Sequence, residues 1–180
     1  MVTIDIYSMA IPASERGGRR DCEREAVGAL VARAFGSGAV LDHTPEGAPY
    51  IASRPGVNVS VSHSRGECVL AVSAVKVGVD LEEPREQLTR VAGKFLAPEE
   101  KGRGELSVDE LARYWSAKEA VFKCAGISDL VISEIKIDGS MKKATARGEI
   151  FSIFFAENFA PAVLAIAVKG TENGVKIGLK

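Results

Sequence analysis

A chain of 180 residues that is 46% hydrophobic and carries a formal net charge of -1 can build one sizeable domain or two small packed lobes. The near-neutral balance argues against bulk binding to nucleic acid or an anionic membrane. No apolar run reaches membrane-spanning length, since Ala160 to Val168 is short and holds Pro161. Cys22, Cys68 and Cys124 are odd in number and lack metal-type spacing, the usage expected of free thiols in a reducing compartment. Asp5 interrupts the apolar N-terminus, which has no secretory pattern, so a cytoplasmic location is expected.

In chain order, Val2, Ile4 and Ile6 alternate and predict a strand over Val2 to Met9. A polar loop from Ile11 to Arg20 follows. Asp21 is the expected N-cap of a helix on which Ala26, Val27, Leu30, Val31 and Ala34 recur until Gly36, with Arg20, Arg24 and Arg33 on its polar side. Asp42 to Gly56 is rich in turn formers, and His43 within it reads as exposed and incidental. Val57 to Ser64 and Cys68 to Val75 then predict two strands. From Lys76 the order repeats: a strand at Val77 to Leu81, short helices near Val91 to Phe95 and Glu99 to Lys101, and a long helix from Val108 to Ala125. Ser107 and Glu110 form a capping box before that helix and Gly126 stops it. Strands are expected at Val131 to Ile137, Ala146 to Phe155 and Ala162 to Val168, with a last edge at Val175 to Leu179. The pattern predicts an α/β (α+β) fold of two pseudo-symmetric lobes, each a helix packed on a small, mostly antiparallel sheet. Residues 1–76 form the N-terminal lobe and 77–180 the C-terminal one.

The strand Val77-Gly78-Val79-Asp80-Leu81-Glu82 throws Asp80 and Glu82 to one face. On the long helix Glu119 and Lys123 lie one turn apart. If that helix packs on that strand, three carboxylates and a lysine converge, and their charge calls for compensation. Mg²⁺ with a phosphate-bearing ligand would supply it. Trp115 and Phe122 read as core anchors of the helix.

Three motifs in order resemble those of the 4'-phosphopantetheinyl transferase superfamily, in particular its single-chain surfactin-synthetase-activating branch. They are Ser62-His63-Ser64, Gly78-Val79-Asp80-Leu81-Glu82 and the run from Trp115 to Lys123, and the stretch Lys94 to Glu100 is similar to a family segment between the last two. The resemblance implies transfer of 4'-phosphopantetheine from coenzyme A to a serine of an acyl or peptidyl carrier protein, with release of 3',5'-ADP. By the same resemblance Asp80, Glu82 and Glu119 hold Mg²⁺, and Glu119 is the candidate general base. Lys123 contacts the phosphates, while Ser62, His63 and Arg24 line the coenzyme A site in the N-terminal lobe. The family's usual Gly-Lys-Pro reads Gly47-Ala48-Pro49 here, leaving Arg54 or Arg20 to replace one lysine, and the usual Asn two residues before Ser62 is Ser60. Lys94, Lys101 and Arg103 suit an acidic carrier. With both halves of the site in one chain, a monomer is expected. The alternatives are a degenerate relative that binds coenzyme A or a carrier without transfer, and an unrelated Mg²⁺-dependent phosphoryl-transfer enzyme, for which no GxxxxGK[ST] loop is present.

Overall fold

The computed structural model describes residues 1–12, 18–64, 66–170 and 174–180. The first strand, β1, runs Val2–Ala10. Helix α1 spans Arg19–Phe35 and ends at Gly36, whose φ of 95° suits glycine. Its N-cap is Gly18, in extended backbone without a side-chain cap; Asp21 instead lies in the first turn, where its charge faces the helix dipole. The expected cap at Asp21 is therefore corrected, and of the loop before it residues 13–17 lie outside the described residues. The turn-rich stretch contains a small hairpin, β2 (Leu41–His43) and β3 (Pro49–Ile51). Strands β4 (Asn58–Ser64) and β5 (Glu67–Ser73) follow as expected.

The second half opens with β6 (Val77–Glu82), buried along its whole length. Helices α2 (Gln87–Phe95) and α3 (Pro98–Lys101) lead to α4 (Val108–Ala125). The capping box of Ser107 with Glu110 is formed, and Gly126 closes α4 in the left-handed conformation. The strand expected over Val131 to Ile137 is instead a 3-10 turn, Ile132–Glu134, followed by the two-residue β7, Lys136–Ile137. The strand expected over Ala146 to Phe155 divides into β8 (Lys143–Ala146) and β9 (Glu149–Ala156). Arg147 and Gly148 between them both have positive φ, 48° and 83°, the conformation of a tight hairpin. Strands β10 (Val163–Lys169) and β11 (Val175–Leu179) complete the chain.

Besides the β2-β3 hairpin, two larger sheets are seen among the described residues, in the orders β11-β1-β5-β4 and β6-β10-β9-β8-β7. Each is antiparallel except for β11, which pairs in parallel with β1. Strand alternation sorts the side chains into three cores. Leu30 and Val31 of α1 pack on Leu70 and Val59 of the first sheet. Ile4, Ile6, Val69 and Ala71, on that sheet's other face, meet Val79, Leu81, Leu164 and Ile166 of the second. The far face of the second sheet carries α4 through Ala117, Val121, Phe151 and Ala165. The last strand thus crosses back into the first sheet, so a division at 76/77 does not follow the sheets at the C-terminus. Cys22, Cys68 and Cys124 are free and buried, and burial pushes the Cys68 and Cys124 thiols up to about 12. No helix among the described residues is long and apolar enough to cross a membrane.

Candidate active site

α4 lies on β6 at very close range. A Cβ on Gly78 would stand 2.0 Å from the Ala120 carbonyl oxygen and 2.6 Å from the Cys124 nitrogen. No residue but glycine fits there, and the contact brings the Asp80 and Glu82 face of β6 under Glu119 and Lys123 of α4. The Lys123 ammonium donates to Asp80 Oδ1 (2.9 Å) and to the Val79 carbonyl (3.0 Å). The Asp80 backbone oxygen accepts from the Ser116 hydroxyl at 2.7 Å.

Asp80 is 7% exposed, and its second carboxylate oxygen, Oδ2, is buried with no hydrogen-bond partner among the described residues. Glu119, half-buried, is raised above the ordinary glutamate range by burial and then by the Asp80 charge, with Lys123 opposing. Glu82 is raised chiefly by burial, against the pull of Arg85, which lies 3.2 Å from its carboxylate. Carboxylates raised in this way, beside an orphaned buried oxygen, lack positive charge. Among the described residues no three His, Cys, Asp or Glu side chains already stand at ligand spacing; Lys123 and Arg85 hold two of the carboxylates instead. The donor set, hard oxygens with one buried lone-pair site unused, fits a hard divalent cation.

A cavity of about 1050 Å³ opens beside Asp80 and Lys123, with Arg20, Arg24, Glu23 and His63 on its walls. His63 is half-exposed, its Nδ1 3.5 Å from Glu23 Oε1, and Arg19 also reaches that oxygen at 2.9 Å. Glu23 was not anticipated as a wall residue; its i,i+4 spacing from Arg19 reads in sequence as an ordinary surface pair. A second cavity of about 410 Å³, bordered by Ala48, Lys76 and Phe122, joins the first at His43, Val61 and Lys123. His43 is therefore exposed but not remote from the site. Arg54 is not among the lining residues of either cavity and donates to the Ser53 and Phe35 carbonyls at 3.0 and 3.4 Å, whereas Arg20 lines the larger one.

Ser62 is placed differently from its neighbour His63. Its side chain is buried and bonded to Asp80 Oδ1 (3.0 Å) and to the Leu81 N–H (3.1 Å). The other lysine of the helix motif, Lys118, is fully buried, paired with Glu100 at 2.8 Å and donating to the Ile135 carbonyl. Glu100 also accepts from the Ala97 and Ile137 amides at 2.7 and 2.8 Å, so this pair ties α3 and the β7 turn to α4. Trp115 stacks edge-on against Phe95 at 5.1 Å, as a core anchor. Lys101 donates to the Gly93 carbonyl and Arg103 to the Tyr114 hydroxyl, so both brace their own surroundings.

Residues 76–163 match the family model of the 4'-phosphopantetheinyl transferase superfamily. A 4'-phosphopantetheinyl transferase of Bacillus subtilis is 27% identical over 121 residues, covering 60% of this chain and 54% of its own length. The chain thus spans about half the length of that curated relative. The matched stretch, just under half of the chain, contains β6 and α4, the two elements that carry Asp80, Glu82, Glu119 and Lys123, and over it the chain is similar to the 4'-phosphopantetheinyl transferase superfamily.

Proposed function

We propose that this protein transfers the 4'-phosphopantetheine group from coenzyme A to a serine of an acyl or peptidyl carrier protein, as a single-chain, cytoplasmic, Mg²⁺-dependent enzyme. The observation that carries the reading is the buried, unpartnered Oδ2 of Asp80, whose charge acts on both Glu82 and Glu119 and which lines a cavity walled by Arg20, Arg24 and His63. Asp80, Glu82 and Glu119 would hold Mg²⁺, which when bound neutralises charge on the pyrophosphate oxygens. Arg20 and Arg24 suit the nucleotide phosphates, for which a guanidinium is a good partner. Lys123, 30% exposed at the junction of the two cavities, offers an ammonium to the pyrophosphate. In the transfer, the carrier serine oxygen bonds to the β-phosphorus, the pyrophosphate P–O bond breaks, and 3',5'-ADP leaves. The serine proton passes to Glu119, directly or through water.

Intact-mass measurement of apo carrier proteins, incubated with this protein, coenzyme A and Mg²⁺ and with an EDTA control, tests the reading. A metal-dependent gain of one phosphopantetheine group supports it, and no gain across acyl and peptidyl carriers overturns it. Ala48, where the family usually has lysine, favours a second reading: a relative that binds coenzyme A without transfer. Tight coenzyme A binding with no mass gain would select that one.

A further inference from the structure

β4 and β6 are edge strands of different sheets, yet they run side by side without a shared backbone ladder. The alternation of β4 points Ser60 and Ser62 at β6 and Val59 and Val61 at α1. The Val79 N–H donates to Ser60 Oγ at 3.0 Å, and the Leu81 N–H donates to Ser62 Oγ at 3.1 Å. Two hydroxyls thus stand in for the carbonyls that a neighbouring strand would offer, and they satisfy the buried amides of β6.

The two serines differ in one respect. A hydroxyl has one proton to give. Ser62 Oγ already accepts from an amide and lies 3.0 Å from Asp80 Oδ1. A carboxylate oxygen only accepts, so the Ser62 proton must point at Asp80. It is then not available to a phosphate oxygen, which also only accepts. Together with Lys123, Ser62 saturates Oδ1 and leaves Oδ2 as the free lone-pair site. Among the described residues the Ser60 hydroxyl has no such contact with a carboxylate.

We infer that Ser62 is a positioning residue for the metal site rather than a ligand of the coenzyme A phosphates. It fixes the Asp80 carboxylate so that Oδ2 faces the cation, and this assignment rests on the metal reading given above. Hydrogen-bond partners that orient metal ligands typically account for about 10–100-fold in metal affinity.

Mn²⁺ titration followed by electron paramagnetic resonance, without coenzyme A, tests this in the 180-residue chain. Ser62→Ala is expected to weaken Mn²⁺ binding at least about tenfold, and Ser62→Thr, which keeps the hydroxyl, to restore most of it. Ser60→Ala cuts the other half of the seam without touching Asp80; it is expected to lower Tm but keep Mn²⁺ affinity within about twofold. Should Ser62→Ala fail to fold, Ser62→Cys, close in size but a weak donor, is expected to show the same loss. Coenzyme A binding with EDTA present supplies the opposing readout. Wild-type Mn²⁺ affinity in Ser62→Ala with weakened metal-free coenzyme A binding would make Ser62 a phosphate ligand and overturn the inference. Equal losses of Tm in both alanine variants with unchanged Mn²⁺ affinity would reduce it to a structural seam. Absence of Mn²⁺ binding by the wild type would instead overturn the metal reading itself.

Discussion

The charged forms of Glu119 and Glu82 are disfavoured in the metal-free protein, although Lys123 and Arg85 each oppose the shift. Both carboxyls are raised by burial, and the Asp80 charge adds to the effect on each. A raised folded value means that the native state binds protons more tightly than the unfolded chain. The resulting contribution to stability is full below the ordinary glutamate range and is lost as pH rises through the raised values. Metal-free protein should therefore gain in Tm from these groups on mild acidification from neutrality, and saturating Mg²⁺ should remove that gain; calorimetry across pH with and without Mg²⁺ measures it. Replacing Glu119 by Gln removes the repulsion along with the proton acceptor. Glu119→Gln should melt at or above the wild-type temperature without metal, gain less from Mg²⁺, and lose transfer by at least about a hundredfold. Near-wild-type transfer in that variant would take the base role away from Glu119. That Asp80 and Glu82 share a strand face, and Glu119 and Lys123 a helix face, was readable in sequence, because strand alternation and helix spacing are local rules. The partners Ser62, Ser116 and Glu23 were not, since their roles depend on how β4, β10 and α1 meet elements distant in sequence.

At the scale of elements, the same division holds. β1, α1, β4 to β6, α4 and β10 follow from alternation, periodicity and caps. The hairpin of β2 and β3 is hidden among turn formers, and Lys143–Ala146 carries too little apolar or β-branched character to announce a strand. Arg147 and Gly148 lack the usual Asn-Gly signature, and Arg147 is held in its turn by Asp129 and Glu134 at 2.9 and 3.0 Å. Gly78 is the opposite case: the motif was visible, but its glycine acquires a reason once α4 is seen against β6. Gly78→Ala must push backbone against backbone, and overpacking of this kind costs typically about 1–3 kcal/mol and more where neither side can yield. The expected outcome is a loss of stability at or above the upper end of that range by denaturant titration. Mg²⁺ affinity should fall further than the loss of folded protein explains, because Asp80 and Glu119 separate. Unchanged stability would mean that the two elements are not so close in solution.

The whole molecule is layered α1, sheet, sheet, α4, and the interface between the sheets belongs to neither half of the sequence. Ile4, Ile6 and Val69 come from residues 1–76; Val79, Leu81, Leu164 and Ile166 come from 77–180. Burying each such side chain is worth about 1.5–3 kcal/mol, against a net stability of about 5–15 kcal/mol for a typical domain. Losing the partner sheet would therefore consume most of what holds either half folded. The C-terminal strand adds a second tie, since β11 takes its backbone partners from β1, a pairing that edge-strand character at Val175 to Leu179 did not reveal. Its Val175 and Ile177 pack on the same inter-sheet core. Two lobes of similar plan should then behave as one cooperative unit. Residues 1–76 and 77–180 made as separate chains should each give poorly dispersed amide spectra. In the intact protein, far-ultraviolet circular dichroism and the fluorescence of Trp115, which reports on α4, should trace one coincident unfolding transition. Two separated transitions, or a well-dispersed spectrum from either half, would show that the lobes are independent domains. The active site would then lie at a movable joint, and Ser62, reaching from β4 to Asp80 on β6, would have to bridge it.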